Sequence, residues 1–168
     1  MNSFGVNRDL PAGRYRLREV FSGLEEVEPL ASCFGNATQL KKIIDEEQVT
    51  LTTGTRYMYV DDDDGGLVVG LQYLRTADAR YLYLDAIHEL VHVKQYHDGK
   101  QLFDESYSYV DRPTEIEAYE RTVEEARKIG MSDEAIADYL YVERITRKEH
   151  GRLLKTLGIA RPRGARQQ

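Results

Sequence analysis

The clearest alternation of apolar and polar positions lies between residues 76 and 97. Ala86, Ile87, Leu90, Val91 and Val93 cover most of a helical circumference, while Asp85, His88, Glu89, His92 and Tyr96 form one polar stripe at spacings of three and four. This spacing predicts a largely buried helix over 76–97, stopped by Asp98-Gly99. Its polar stripe must face a partner, an ion or water, because unpaired polar groups inside a core are costly. Ahead of it, stretches 49–53, 56–60 and 67–74 are rich in β-branched and aromatic residues. They are separated by Thr53-Gly54-Thr55 and by Asp61-Asp62-Asp63-Asp64-Gly65-Gly66. Three strands joined this tightly predict an antiparallel meander. The aspartate run lacks the alternate-residue spacing and distal glutamate of a calcium loop, so it reads as a solvated hairpin turn.

Upstream, Asn36 and Gln39 form a possible capping box before a helix with the apolar face Leu40, Ile43 and Ile44, continuing to about Glu47. Residues 1–35 are weakly patterned, and one short helix or strand is expected between Gly13 and Gly23. Downstream, Pro113 and Thr114 open a second amphipathic helix with the apolar series Ala118, Thr122, Val123, Ala126 and Ile129, ending near Gly130. A connection of about fifteen residues, carrying Tyr107 and Tyr109, precedes it, and loops that long in compact domains are commonly functional. Ser132 or Asp133 caps a further helical segment holding Ile136, Leu140 and Ile145 and extending toward Leu154 and Leu157. The fold class read from this pattern is α+β. One small domain spans residues 1–168: an antiparallel β meander, then the buried helix, then a helical carboxy-terminal half.

A chain of 168 residues with 41% hydrophobic content can bury a core of that size. Its net charge of −6 argues against nucleic acid as a partner, since that affinity rests on a basic surface. The basic stretch 161–166 is the exception and reads as a disordered end. No apolar run suggests a signal peptide or a membrane span, which gives a cytoplasmic expectation and no membrane partner. The single cysteine, Cys33, excludes an intrachain disulfide and, among Leu30, Ala31 and Phe34, reads as a small buried hydrophobe.

The candidate chemistry lies in the polar stripe. On a helix, His88 and His92 stand one turn apart on nearly one face, so both imidazoles can reach one ion. Glu89 falls beside the pair, a poor position for a third ligand but a good one for taking a proton from a water that the ion acidifies. His97 is turned to another face and reads as a helix-end residue. Three downstream glutamates compete to complete the set. Thr114 with Glu117 reads as a capping box, Glu120 lies opposite the apolar series, and Glu115 remains in the first turn on the face shared with Ala118 and Tyr119.

The string His88-Glu89-Leu90-Val91-His92 is the HExxH signature, and from about residue 77 to 129 the chain resembles the zincin metallopeptidases. The metzincin branch would require Gly and His where this chain has Gln95 and Asp98. In the gluzincin branch the third ligand opens an E-x-x-A-D or E-x-x-A-N string, which Glu115-Ile116-Glu117-Ala118 resembles, with Tyr119 in place of the acid or amide that orients a ligand histidine. The resemblance implies Zn2+ held by His88, His92 and Glu115, Glu89 as the catalytic base, and hydrolysis of a peptide or protein substrate. It also implies a cleft between a β-containing upper part and a helical lower part. The oxyanion-stabilising group stays open among Tyr107, Tyr109, Tyr139, Tyr141 and His150. A reading from another class is a zinc-stabilised binding or regulatory module that keeps a zincin-like scaffold without turnover. Tyr119 favours that reading and Glu89 opposes it. A further expectation is that residues 1–35 fold across the cleft as a plug, with a Cys33 thiolate on the metal as the weaker alternative.

Overall fold

The computed structural model of the chain describes residues 4–160, and the basic stretch 161–166 lies outside the described residues. The first elements are β1 (Gly5–Val6), β2 (Gly13–Arg16), α1 (Leu17–Val20), β3 (Phe21–Ser22), α2 (Glu28–Cys33) and α3 (Ala37–Glu46). They are followed by β4 (Gln48–Thr52), β5 (Met58–Val60), β6 (Leu67–Gly70), α4 (Leu71–Thr76) and α5 (Ala79–His97). The chain closes with α6 (Pro113–Lys128), α7 (Asp133–Tyr139) and α8 (Arg147–Thr156), giving a mixed domain of helices and strands. No helix among the described residues is long and apolar enough to cross a membrane.

The sheet is not the expected meander. Its order is β2-β4-β6-β5, with β4 parallel to β6 and both outer pairings antiparallel. Leu67, Val68 and Val69 explain the order: they are apolar without alternation and buried on both faces, which suits an inner strand, whereas Met58-Tyr59-Val60 alternates as an edge strand does. The segment 53–57 therefore crosses to the far side of β6 instead of turning back on β4. Gly70 permits that crossing, because a Cβ there would stand 2.3 Å from the Thr55 carbonyl oxygen. The aspartate run does form the β5–β6 hairpin turn, closed by bonds from Asp61 N to Gly66 O and from Gly65 N to Asp61 O.

Several expected boundaries shift for identifiable reasons. The third strand ends at Gly70, and residues 71–76 coil into α4 instead. Helix α5 begins only at Ala79, where the Asp78 carboxylate accepts from the Arg80 N–H. The long carboxy-terminal helix is two: Ser132 caps α7, and Thr146 with Glu149 forms a capping box that starts α8. Asn36 caps α3, accepting from the Gln39 N–H at 3.0 Å, but without the reciprocal Gln39 bond of the expected capping box. Residues 4–35 are part of the core and not a plug laid on it: β2 extends the sheet, and Leu17, Val20, Phe21, Leu24, Val27 and Leu30 are all buried. Helix α5 packs on β5 and β6, and α6 packs on α5, so the two helices meet along the strip that carries the polar stripe.

Candidate metal centre

Helices α5 and α6 bring His88, His92 and Glu115 together, each only 5–6% exposed. The two Nε2 atoms are 3.0 Å apart, and Glu115 Oε2 lies 3.3 Å from that of His88 and 3.6 Å from that of His92. Ligands arranged tetrahedrally around zinc at roughly 2.0–2.1 Å stand about 3.3 Å from one another. The three separations bracket that value, so the atoms stand at the spacing of three corners of a tetrahedral site. Glu115 Oε2 is buried without a hydrogen bond of proper geometry, a cost of about 1–3 kcal/mol that a shared cation would remove. The donor set therefore fits a divalent metal of the imidazole- and carboxylate-binding kind.

Local sequence explains the placement. Pro113 starts α6 with the ring at its first position, which sets Glu115 in the first turn, where the helix dipole favours a carboxylate. The expected Thr114–Glu117 capping box does not form. Arg112 is the cap residue, Thr114 Oγ1 donates to the Leu102 carbonyl at 3.2 Å, and Glu117 turns toward α5. Its partner there is Gln95, a residue the sequence reading left without a role. The Gln95 carboxamide oxygen accepts from His92 Nδ1 at 2.7 Å, while its nitrogen donates to the Thr114 carbonyl at 3.0 Å and to Glu117 Oε2 at 2.8 Å. Lys100 Nζ donates to the same Glu117 oxygen at 2.7 Å. This chain holds the proton of His92 on Nδ1 and leaves the Nε2 lone pair free for a metal. The i+3 spacing of Gln95 from His92, on the same stripe, is the signal that could have revealed it.

His88 has no such support, and its buried Nδ1 is unpartnered. Tyr119, standing where the resemblance implies an acid or amide, packs against the His88 ring at a tilt, with centroids 4.3 Å apart. The Tyr119 and Tyr109 hydroxyls are 2.8 Å apart, and Arg144 lies over the Tyr109 ring at 4.2 Å. Of the five oxyanion candidates, Tyr109 thus reaches the His88 side of the centre. Tyr139 instead donates to Asp85 Oδ1 at 2.7 Å. Tyr107 and Tyr141 are exposed, and His150 Nε2 bonds the Ala137 carbonyl at 2.8 Å. His97 points away, 4.0 Å from Glu47, and Cys33 packs half-buried against the core, outside the donor group. Asp61, Asp62 and Asp63 also lie close together, but in the hairpin turn, without an imidazole.

The charges at the centre are coupled. Burial disfavours the Glu115 carboxylate, but His88 and His92 outweigh it and hold its carboxyl well below the usual carboxylate range. Burial likewise opposes charge on His92, and Glu115 and Glu89 overcome it, raising the imidazole value. Glu89 is half-buried, and burial pushes its carboxyl up to about 6 against the pull of His88 and His92. Among known proteins, no family model, no curated protein and no solved structure matches the chain.

Proposed function

We propose that the chain is a zinc-dependent hydrolase that cleaves peptide bonds, with a zincin-like arrangement of its helices. The observation that carries this reading is the buried His88–His92–Glu115 group, with an unpartnered Glu115 oxygen at its centre and Glu89 beside it. Zinc held by these three residues would supply a Lewis acid with an open position for water, as three protein ligands do in catalytic sites. Glu89, raised toward neutral pH by burial, takes the proton of the attacking water and returns it to the leaving amine. One O–H of the Tyr109–Tyr119 pair is used in their mutual bond, and the other, with Arg144 donating to Tyr109 behind it, supplies a donor for the charge that develops on the substrate carbonyl oxygen. A peptide substrate is favoured because β5, the edge strand of the sheet that packs on α5, leaves its outer side without a strand partner among the described residues for an extended chain to join.

Zinc-loaded protein is expected to cleave unstructured peptides, and Glu89→Gln to abolish cleavage while retaining the metal. Metal analysis after dialysis should show zinc lost from His88→Ala, His92→Ala and Glu115→Ala. Retention by Glu115→Ala with loss from Glu117→Ala would overturn the ligand assignment. The bare Nδ1 of His88 favours a second reading, a zinc-stabilised binding or regulatory module, because no hydrogen bond to that nitrogen orients the imidazole behind the metal-facing side. Stoichiometric zinc in a wild type that cleaves nothing would select it.

A further inference from the structure

Outside the candidate metal centre an open surface cavity of about 300 Å³ is lined by exposed Arg56, Gln72 and Thr76 and by half-buried Tyr73. Its two walls are fixed in place. On one side Gly70 N–H donates to the Tyr57 carbonyl at 2.9 Å, and the close approach of Thr55 to Gly70 holds Arg56 opposite the start of α4. The Tyr57 hydroxyl adds a bond to Glu143 at 3.2 Å. On the other side the Tyr73 hydroxyl donates to Asp85, whose second oxygen accepts from Tyr139. Asp85 lies on the α5 stripe one turn ahead of Glu89, and the charges of both carboxylates act on Tyr73. Tyr73 thus lines the cavity with one part of its side chain and bonds the stripe that carries the proposed base with its hydroxyl.

The lining contains a guanidinium, a carboxamide and two hydroxyls, and no carboxylate. The Tyr73 hydroxyl is committed to Asp85, and that of Thr76 donates to the Gln72 carbonyl at 2.8 Å. Arg56 forms no ion pair among the described residues, so the strongest donor facing the cavity has no internal partner. Ligand sites span about 300–1,000 Å³, and a volume at the lower end suits one side chain better than a whole substrate. We propose, resting on the hydrolase reading above, that this cavity receives the substrate residue adjoining the scissile bond and selects Asp or Glu there. The carboxylate pairs with the forked donors of Arg56, a geometry that a lysine would not reproduce, and Gln72 closes over it.

The test uses peptides of serine, glycine and alanine that differ only in one internal Glu, Gln or Lys, with cleavage by zinc-loaded protein mapped by mass spectrometry. Wild type should cut the Glu peptide about tenfold faster than the Gln peptide, a ratio equivalent to about 1.4 kcal/mol, always on the same side of the Glu. Arg56→Ala should bring the ratio close to one, Arg56→Lys should restore it in part, and Arg56→Glu should shift preference to the Lys peptide. Equal rates for Glu and Gln in wild type, or an unchanged ratio in Arg56→Ala, would overturn the assignment. Anisotropy of the same peptides, fluorescein-labelled, on zinc-loaded Glu89→Gln separates this proposal from the one it rests on. An Arg56-dependent preference for Glu in binding, with no cleavage by wild type, supports the cavity and overturns the hydrolase. Cleavage without preference overturns the cavity alone, and the absence of both overturns both.

Discussion

Replacing Gln95 with Met tests whether its carboxamide sets the metal-binding form of His92. Gln95 is 1% exposed, so the thioether would occupy similar space while removing the bonds to His92 Nδ1, Thr114 and Glu117. The Thr114 carbonyl still has its own helical turn to bond, and Glu117 keeps Lys100, so the group left bare is the His92 Nδ1–H. One buried donor without an acceptor costs about 1–3 kcal/mol, which at a slope of roughly 1–3 kcal/mol/M moves a urea midpoint by about 1 M. Zinc affinity should fall about 10–100-fold, because nothing then favours the tautomer whose Nε2 is free. Gln95→Glu divides the two effects. Its carboxylate would still accept from His92 and preserve zinc affinity, but it would face Glu117 and lose stability. Urea unfolding and competition against a chromophoric chelator measure both quantities. Zinc affinity within threefold of wild type in Gln95→Met would refute the reasoning.

In metal-free protein the His92 imidazole is raised from 6.5 to about 9, burial opposing the charge and Glu115 and Glu89 outweighing it. A raised folded value means stability that is fully present below 6.5 and lost as pH rises through 9. The melting temperature of chelator-treated protein should therefore fall from pH 6.5 to 9, and zinc saturation should remove the decline; a rise over that range would contradict the electrostatics. Gly70→Ala puts a methyl group 2.3 Å from the Thr55 carbonyl at an ordinary backbone geometry, so its cost is steric, about 1–3 kcal/mol in a thermal melt. A neutral substitution there would mean that segment 53–57 yields easily.

The grouping of His88, His92 and Glu115 was readable because its signal is local. Two imidazoles one turn apart on a buried helix announce themselves by spacing, and the amphipathic start of α6 limits the third ligand to a few glutamates. Glu115 does lie beside the two histidines, but no capping box occupies Glu117, which bonds Gln95 instead. The sheet order was harder to read. Short links around Gly54 and through Asp61–Gly66 looked like two hairpins, but only the second is one, and the parallel β4–β6 pairing depends on contacts distant in sequence. The unbroken apolar run Leu67-Val68-Val69 held the clue that an inner strand lay there. Residues 4–35 looked unpatterned because their elements are two to six residues long, too short for a period to show, although they supply much of the core.

Helix α5 is held from both ends: Asp85 is bonded by tyrosines from α4 and α7, and Gln95 is bonded to the first turn of α6. In small zinc-finger domains the ion is itself the core, and a shortage of metal is a shortage of folded protein. Here the scaffold that aligns the ligands is assembled from side chains that need no ion. On the metal-binding reading, the fold is therefore expected to form before the ion arrives and to gain stability when it binds. A shortage of that metal would then leave intact, unloaded molecules that can be charged later without resynthesis.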